Sequence, residues 1–266
     1  MNYQQISPPP YLKEYVRYFW VLESDNDNLL KRKLLPLADG CPGIIFQHSS
    51  MGSLFSPEHQ HLPEIFLYGQ TVKPTELILR GKFKTTGVCF YPYALKTIFG
   101  FNANELTESC VDLALLMKDF IEPLTNTDSV VSQLEIFCTH LYRQVQKRSY
   151  HLDYATAYAL GEIIHSKGNL PLKTLQKKIK LSERGFERRF SAHVGIAPKL
   201  FSRICKFQAA LSQLKTNNYS NLSDVAFDNG YADQSHFIRS FKEFAGLSPH
   251  QFKRHDRKIT ENFSVI

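Results

Sequence analysis

The fold of the C-terminal region is decided by residues 222–241, which read LSDVAFDNGYADQSHFIRSF. Two short helical segments flank Asn229-Gly230, and glycine readily adopts the left-handed conformation that a tight turn needs. Ala226 is small at a point where two helices would cross closely. This layout predicts a helix-turn-helix, a motif whose second helix lies in the major groove of DNA.

Part of this pattern also occurs 51 residues earlier in the chain. Residues 186–201 and 237–252 both fit F-x-R-x-F-x4-G-[IL]-[AS]-P-x2-F. In each copy the two phenylalanines share one face of a helix, and the arginine lies about 200° away from the first of them. The repeat therefore predicts two helix-turn-helix units joined by a long helix over 199–216. That helix spans roughly 27 Å, so the two units could reach successive major grooves about 34 Å apart.

Charge is concentrated in this region. The whole chain of 266 residues carries a net charge of +7. Residues 167–258 hold 18 Lys and Arg against 7 Asp and Glu, a net +11, whereas residues 1–166 have a net charge of −3. A basic module next to a mildly acidic one predicts a polyanion as partner of the C-terminal part, although a solvated basic surface would give the same count.

The chemistry of the side chains indicates which residues would contact DNA. Arg184, Arg188 and Arg239 suit guanine, because arginine forms bidentate hydrogen bonds with it, and Gln234 suits adenine. Glu187 could accept a hydrogen bond from a cytosine amino group. The lysines predicted to contact phosphates are Lys173, Lys177, Lys178, Lys199, Lys206 and Lys215.

Each of these assignments has a structural alternative. Arg188 and Arg239 could instead form ion pairs with acids of their own helical bundle. Glu187 could be an ordinary solvent-exposed side chain, because surface helices carry glutamate by default.

The first half of the chain has a different texture. Short apolar or alternating runs separated by turn residues predict strands, and thus a small sandwich or barrel. The predicted strands are residues 15–22, 33–37, 43–47, 65–68, 76–79 and 87–90. Three helices are predicted after them, at 93–99, 108–119 and 128–148.

The last of these helices carries one apolar stripe. Val130, Leu134, Phe137, Leu141 and Val145 follow one another at spacings of four, three, four and four residues. The stripe could pack on the chain's own strands or form a dimer interface, and the spacing is compatible with both.

The C-terminal 100 or so residues resemble the DNA-binding domain of the AraC/XylS family of transcription regulators. The resemblance is carried by residues 226–242, AFDNGYADQSHFIRSFK, and by Phe244-Ala245-Gly246-Leu247-Ser248-Pro249 with Phe252. It implies seven helices with two helix-turn-helix units. Matched position by position, it implicates Arg184, Glu187 and Arg188 in the first unit, and Gln234, Ser235 and Arg239 in the second.

The first unit departs from the family pattern at two positions. Gln176 stands where the family usually has alanine, and Lys180 where the turn usually has glycine. A non-glycine residue at positive φ costs on the order of 1 kcal/mol. Gly185 within the first recognition helix costs roughly 0.5–1 kcal/mol relative to alanine. We therefore expect a first unit that is looser until DNA binds.

The N-terminal half resembles an uncharacterised domain found in some members of the same family. The matching stretches are residues 35–46, 69–71 and 87–92. In other members this position holds a cupin-like β-barrel that senses a small molecule or forms dimers. The resemblance thus implies a cupin-like barrel, with a small-molecule effector or a homodimer as its function.

No enzyme signature is found in the sequence. G-x-S-x-G, G-x4-G-K-[ST] and H-E-x-x-H are all absent. The His59-Gln60-His61 segment, between Glu58 and Glu64, resembles the metal ligands of enzymatic cupins but fits poorly, and a polar loop is the preferred interpretation. No metal and no cofactor are predicted. Five scattered cysteines without a C-x-x-C pair argue against a zinc ribbon or a disulfide framework.

The predicted protein is of the α+β class with two domains. Residues 1–150 form a β-rich, cupin-like barrel with trailing helices, residues 151–258 a seven-helix DNA-binding domain, and residues 259–266 a disordered tail. The predicted partners are double-stranded DNA, RNA polymerase, a small-molecule effector and a second copy of the chain, in the cytoplasm and without a membrane or a secretory signal.

Two alternatives remain open. The N-terminal domain could be purely structural, with regulation by abundance alone. The chain could also be a cupin-like metal-binding or enzymatic barrel with an accessory helical domain.

Overall fold

The N-terminal half is built on two antiparallel sheets. A computed structural model describes residues 2–24, 32–48, 53–56, 58, 60–147 and 153–259. The strands are β1 (Asn2–Ile6), β2 (Val16–Ser24), β3 (Arg32–Leu34), β4 (Gly43–Gln47), β5 (Ser53–Phe55), β6 (Ile65–Tyr68), β7 (Leu77–Arg80), β8 (Phe83–Phe90) and β9 (Cys110–Asp112). Six of them form a sheet in the order β1-β2-β8-β4-β6-β9, and the other three form a sheet in the order β3-β7-β5.

The four central strands of the larger sheet, β2, β8, β4 and β6, are buried on both faces. One face, with Phe19 and Phe46 among its side chains, packs against helices. The other face, which includes Trp20 and Ile45, packs against Leu79 and its neighbours on the smaller sheet. Burial on both sides explains why these strands read as continuous apolar runs instead of alternating patterns.

The predicted α+β class is confirmed, but the predicted barrel is open. Within the described residues, the two sheets share no hydrogen-bonded strand pair. A barrel needs an unbroken ladder of strands around its circumference. Strands β3, β5 and β9 are only three residues long, and the sheets stack as a sandwich.

Three helices cover one face of the larger sheet: α1 (Ala94–Phe99), α2 (Lys118–Thr125) and α3 (Val130–Lys147). The helix predicted over 108–119 is wrong, because that stretch contains β9, a short 3-10 turn at Leu113–Leu115 and only the start of α2. Helix α3 is confirmed. Phe137 and Leu141 of its apolar stripe are fully buried in the chain's own core, which favours intramolecular packing over a dimer interface for this stripe.

The C-terminal half is helical throughout its described length. Its helices are α4 (Tyr154–His165), α5 (Leu172–Ile179), α6 (Glu183–Val194), α7 (Pro198–Lys215), α8 (Leu222–Asp228), α9 (Gln234–Ala245) and α10 (Pro249–Ile259). The seven predicted helices are all present. Helix α10 extends to Ile259, so it includes the first residue of the predicted tail, and residues 260–266 lie outside the described residues, as does the predicted domain boundary at 150/151.

The two halves share a hydrophobic core. Leu37, Ala38 and Val72 of the N-terminal half belong to the same buried cluster as α7 and α9. The side chain of Gln208 donates a hydrogen bond to the carbonyl of Ala38 at 2.6 Å. The backbone carbonyl of Phe244 on α9 accepts a hydrogen bond from the backbone nitrogen of Ala38 at 3.3 Å. In the described part of the chain, no helix combines the length and the apolar character that crossing a membrane requires.

We expect Phe137→Ala to lower the free energy of unfolding by about 3–5 kcal/mol, because it removes a fully buried ring and leaves a cavity. Val131→Ala on the same helix is the matched control, since Val131 is 65% exposed, and it should change stability by less than about 0.5 kcal/mol. Urea unfolding followed by circular dichroism measures both. Equal effects of the two substitutions would contradict the packing of α3 on the sheet.

Candidate nucleic-acid interface

The second helix-turn-helix unit consists of α8 and α9, and local hydrogen bonds define both helix starts. Asn221 and Asp224 form a reciprocal capping box at the start of α8, with both bonds at 3.0 Å. Gly230 has φ 71° and forms the turn. Asp233 then caps α9 by accepting a hydrogen bond from the backbone nitrogen of His236 at 2.6 Å.

The first unit consists of α5 and α6 and uses the same turn with less suitable residues. Lys180 adopts the left-handed conformation, with φ 54°, as its position in the pattern predicts. The backbone nitrogen of Leu181 donates to the carbonyl of Gln176 at 3.2 Å. Ser182 caps α6 by accepting from the backbone nitrogen of Gly185 at 3.2 Å. At the start of α5, Pro171 offers no side-chain cap.

The two units differ by one residue in the turn. The left-handed residues Lys180 and Gly230 are 50 positions apart, whereas the cap residues Ser182 and Asp233 are 51 apart. The second turn therefore contains one more residue before its recognition helix begins. The 51-residue offset found in the sequence holds for the recognition helices α6 and α9 but not for the helices that precede them.

The buried face of each recognition helix contacts α7. Phe190 of α6 packs against Phe201, with ring centroids 5.9 Å apart. Phe241 of α9 packs against Phe207, at 5.2 Å. Both phenylalanine pairs of the repeat are buried, at 0–1% exposure, so the predicted core role of these rings is confirmed.

The opposite faces carry the side chains predicted to contact bases. Five of them are exposed: Arg184, Glu187, Arg188, Ser235 and Arg239. Gln234 is half-buried, and its Oε1 accepts a hydrogen bond from Ser223 Oγ at 2.8 Å. Within the described residues, neither Arg188 nor Arg239 has an acidic group within ion-pair distance. By contrast, Arg189 lies 3.7 Å from the carboxylate of Asp153.

The lysines predicted to contact phosphates differ in exposure and in their hydrogen-bond partners. Lys173, Lys177 and Lys199 are exposed. Lys178 forms an ion pair with Glu162 at 2.8 Å, and this hydrogen bond raises the lysine pKa and lowers the glutamate pKa.

Two further lysines of the predicted set, Lys206 and Lys215, lie on α7 and are both half-buried. The amino group of Lys206 donates to the carbonyl of Gly230 at 3.0 Å, and partial burial lowers its pKa. This bond ties α7 to the second turn and gives Lys206 a structural contact that sequence reasoning did not anticipate.

The N-terminal domain contacts the C-terminal ends of both recognition helices, at equivalent positions. Gly195 ends α6, and its carbonyl accepts a hydrogen bond from Thr107 Oγ1 at 2.8 Å. Gly246 ends α9 and lies against Pro74. A Cβ atom added at Gly246 would lie 3.2 Å from Pro74 Cγ. These contacts are not predictable from the sequence, because Thr107 and Gly195 are 88 residues apart and no local pattern connects them.

A cavity of about 300 Å³ lies beside this domain interface. Its walls are mostly apolar and include Ile45, Phe66 and Leu77. The polar lining includes Lys73, which forms an exposed ion pair with Glu108 at 3.2 Å. Residues 69–73 line the cavity, and the next residue, Pro74, contacts Gly246 at the C-terminal end of α9.

The histidine segment considered as a metal site is not assembled within the described residues. His61 packs edge-on against Phe55, with ring centroids 5.3 Å apart. Glu58 is exposed, and His59 lies outside the described residues. The cluster of metal-ligand type that the described part of the chain does bring together is Asp39, Cys41 and Cys89.

Comparison with known families matches two parts of the chain. Residues 4–112 match a domain of unknown function, DUF6597, and residues 175–255 match a helix-turn-helix domain.

Two curated relatives each match about a third of the chain. An uncharacterized HTH-type transcriptional regulator of Haemophilus influenzae is 31% identical over 83 residues, which are 31% of this chain and 28% of that protein. One from Staphylococcus aureus (strain MSSA476) is 27% identical over 99 residues, 37% of this chain and 13% of that protein. The matched stretch thus spans less than a third of either relative. Both relatives are described as regulators and not as enzymes.

Solved structures are also similar to the chain. The superposition on ToxT from Vibrio cholerae O395 covers 95% of this chain and 97% of the ToxT chain, with 10% sequence identity and a TM-score of 0.46. The DNA-binding domain of AdpA, solved in complex with a target DNA, covers 39% of this chain and 96% of its own, with 24% identity and a TM-score of 0.36.

We expect Lys180→Gly to raise the free energy of unfolding by about 0.5–1 kcal/mol, because glycine relieves the strain of positive φ at this position. Lys177→Gly is the matched control. It places glycine in the helical conformation of α5 and should lower stability by about 1 kcal/mol. Chemical denaturation of both variants measures the difference, and a loss of stability in Lys180→Gly would contradict the strained turn.

Proposed function

We propose that this chain, whose residues 175–255 form an AraC-type helix-turn-helix domain, is a sequence-specific transcription regulator that reads two adjacent major grooves with α6 and α9. The observation that carries the proposal is the pair of equivalent exposed arginines, Arg188 and Arg239. Neither has an acidic partner within the described residues. Exposed arginines on a basic module are suited to bidentate contacts with guanine.

The remaining contacts follow from the exposed faces. Arg184, Glu187 and Arg188 would face bases in one groove, and Gln234, Ser235 and Arg239 in the next. The exposed Lys173, Lys177 and Lys199 would contact phosphates, which add affinity and salt dependence without sequence information. Lys178, Lys206 and Lys215 are weaker candidates, because the first two already have partners and the last is half-buried.

The first experiment is the selection of genomic fragments by the purified full chain at about 0.15 M salt, where exposed charges are well screened. The proposal predicts a motif with two blocks about one helical turn of DNA apart. A motif with a single block would reduce the proposal to one reading unit.

On the selected site, we expect Arg188→Ala to weaken binding by about 1–3 kcal/mol and to relax specificity at one base pair. Arg189→Ala is the matched control, because this neighbouring arginine pairs with Asp153 and should leave specificity unchanged. Fluorescence anisotropy with the site and its single-base variants measures both.

Lys177→Ala provides a contrast to the arginine variant. It should weaken all sequences alike and lower the salt slope by about 1. Unchanged DNA affinity in Arg188→Ala would exclude Arg188 of α6 from base recognition, regardless of the effect of Lys177→Ala on affinity.

We further propose that the N-terminal domain modulates DNA binding through a small apolar ligand in the cavity of about 300 Å³. This volume lies at the lower end of the roughly 300–1,000 Å³ typical of ligand pockets. The cavity wall at residues 69–73 adjoins the contacts on α6 and α9. A ligand that moves this wall would therefore shift both recognition helices together. Lys73 at the cavity could pair with an acidic head group, in place of Glu108.

We expect a binding ligand to raise the free energy of unfolding by about 2.7 kcal/mol at 100 times its dissociation constant. A thermal-shift screen of the full chain with medium-chain and aromatic carboxylic acids measures this. Leu77→Trp should abolish the shift by filling the cavity, whereas Leu115→Trp, at a side chain 77% exposed, should preserve it.

A shift that survives in Leu77→Trp would exclude this cavity as the site of binding. No stabilisation by any acid of the set would favour the alternative of a purely structural N-terminal domain. RNA polymerase and a second copy of the chain stay predicted partners.

A further inference from the structure

Three buried side chains of metal-ligand type meet in the N-terminal domain, away from the DNA interface. The carboxylate of Asp39 and the sulfurs of Cys41 and Cys89 all lie within 4.8 Å of one another. The three residues are between 1% and 7% exposed, and both cysteines are free thiols.

The backbone holds these three groups together. Strands β4 and β8 pair with Gly43 opposite Cys89, and Cys41 precedes β4 by two residues. The carbonyl of Pro42 accepts a hydrogen bond from the backbone nitrogen of Phe90 at 2.9 Å. Asp39 accepts one from the backbone nitrogen of Cys41, also at 2.9 Å. The ligand-type atoms are therefore brought together by the sheet and need no rearrangement of the chain.

Their spacing suits a shared ion. Two ligands bound at about 2.3 Å to a tetrahedral ion lie about 3.8 Å apart, and the observed limit of 4.8 Å accommodates this distance. The buried hydroxyl of Tyr18 lies beside Cys89 and Asp39, close enough to interact with both electrostatically.

The charges around the cluster favour a divalent ion. Arg17 Nη1 donates to Cys41 Sγ at 3.2 Å, so a guanidinium lies beside the cluster. Without an ion, the hydrogen bond with Cys89 and burial raise the pKa of the Cys41 thiol, and burial raises the pKa of Asp39. A divalent cation would therefore displace protons from these groups on binding and would compensate the negative charges that it leaves.

We propose that Asp39, Cys41 and Cys89 form a binding site for a divalent thiophilic cation of the zinc type. Two sulfurs and one carboxylate select such an ion over magnesium or calcium, which prefer oxygen ligands. Asp39 also lines the cavity, which supplies an entry path. The proposal differs from the expectation from the sequence, which is that the chain has no metal site.

The position of the site connects it to the domain interface. Gly40, between Asp39 and Cys41, lies against Phe201 of α7, which a Cβ atom at Gly40 would approach to 3.2 Å. Ala38 bonds to Gln208 and Phe244. An ion bound at Asp39 and Cys41 would restrain the segment that joins the N-terminal domain to the core of both helix-turn-helix units.

The test uses the full chain, reduced and freed of metal by a chelator, with Co²⁺ as the probe. One equivalent of Co²⁺ should produce the thiolate-to-cobalt charge-transfer absorption, and Zn²⁺ should abolish it by displacement. Cys89→Ser should lose most of this absorption. Cys138→Ser on α3 is the matched control, since it removes a half-buried cysteine outside the cluster, and it should behave like the unmodified chain.

Asp39→Asn is the second variant. The amide oxygen can still accept the hydrogen bond from Cys41, but the negative charge is lost. We expect at least about tenfold weaker Co²⁺ affinity with the charge-transfer absorption retained at saturation. Circular dichroism of the metal-free proteins checks that each variant folds. If Cys89→Ser does not fold, the Co²⁺ titrations of the unmodified chain and of Asp39→Asn test the proposal.

Three outcomes would overturn the proposal. The first is no charge-transfer absorption in the unmodified, reduced chain. The second is absorption retained in a folded Cys89→Ser. The third is a Cys41–Cys89 disulfide, mapped by mass spectrometry of peptides in chain purified without reductant or metal, because it would occupy both sulfurs. None of these measurements involves DNA, so they are independent of the proposed function.

Discussion

The arrangement of the DNA-binding half depends on the burial of α7. Ten of its 18 residues are buried, and they serve both helix-turn-helix units. Phe201 packs against α6, while Phe207 packs against two rings of α9. Since interiors are close-packed, neither unit can rotate about α7 without opening a void. The relative position of the two recognition helices is therefore a property of one shared helix core and not of a flexible linker.

The same helix also determines how the N-terminal domain is held. Gln208 of α7 reaches the carbonyl of Ala38, and Gly40 packs on Phe201. Further contacts fall on the equivalent glycines that end α6 and α9, Gly195 and Gly246. Both recognition helices are thus contacted at their C-terminal ends, leaving their polar faces exposed. A change in the segments around Thr107 or Pro74 would act on the two units together.

The sequence predicts local features well, because they arise from neighbouring residues. The buried phenylalanine pairs follow from the spacing within the repeat, the turn at Gly230 from the residues around it, and the strained turn at Lys180 from the family pattern. The strands β1, β5 and β9 were not predicted: each lies at an edge of its sheet, and β1 and β9 lack the apolar run of a buried strand. Without such a run, the stretch that begins at Glu108 was predicted as a helix.

Contacts between distant segments could not be predicted at all. Gln208 and Ala38 are 170 residues apart, and the cluster of Cys41 with Cys89 exists only because β4 pairs with β8. Five of the six candidate base contacts are exposed, since exposure follows from the helix face opposite the phenylalanines, whereas Gln234 is half-buried against Ser223. Lys206 lies on a helix predicted correctly, yet its partner is the carbonyl of Gly230, and only the packing of α7 brings the two together.

The two units differ in how firmly their turns are held. The second has a capping box, a glycine at positive φ and the bond from Lys206, and Asn229 donates to Gln213 at 2.7 Å. The first has no side-chain cap on α5 and a strained lysine in its turn. Local stability follows such hydrogen bonds and backbone strain. The second unit is therefore the more rigid of the two, and the first is where we expect ordering to accompany the binding of DNA.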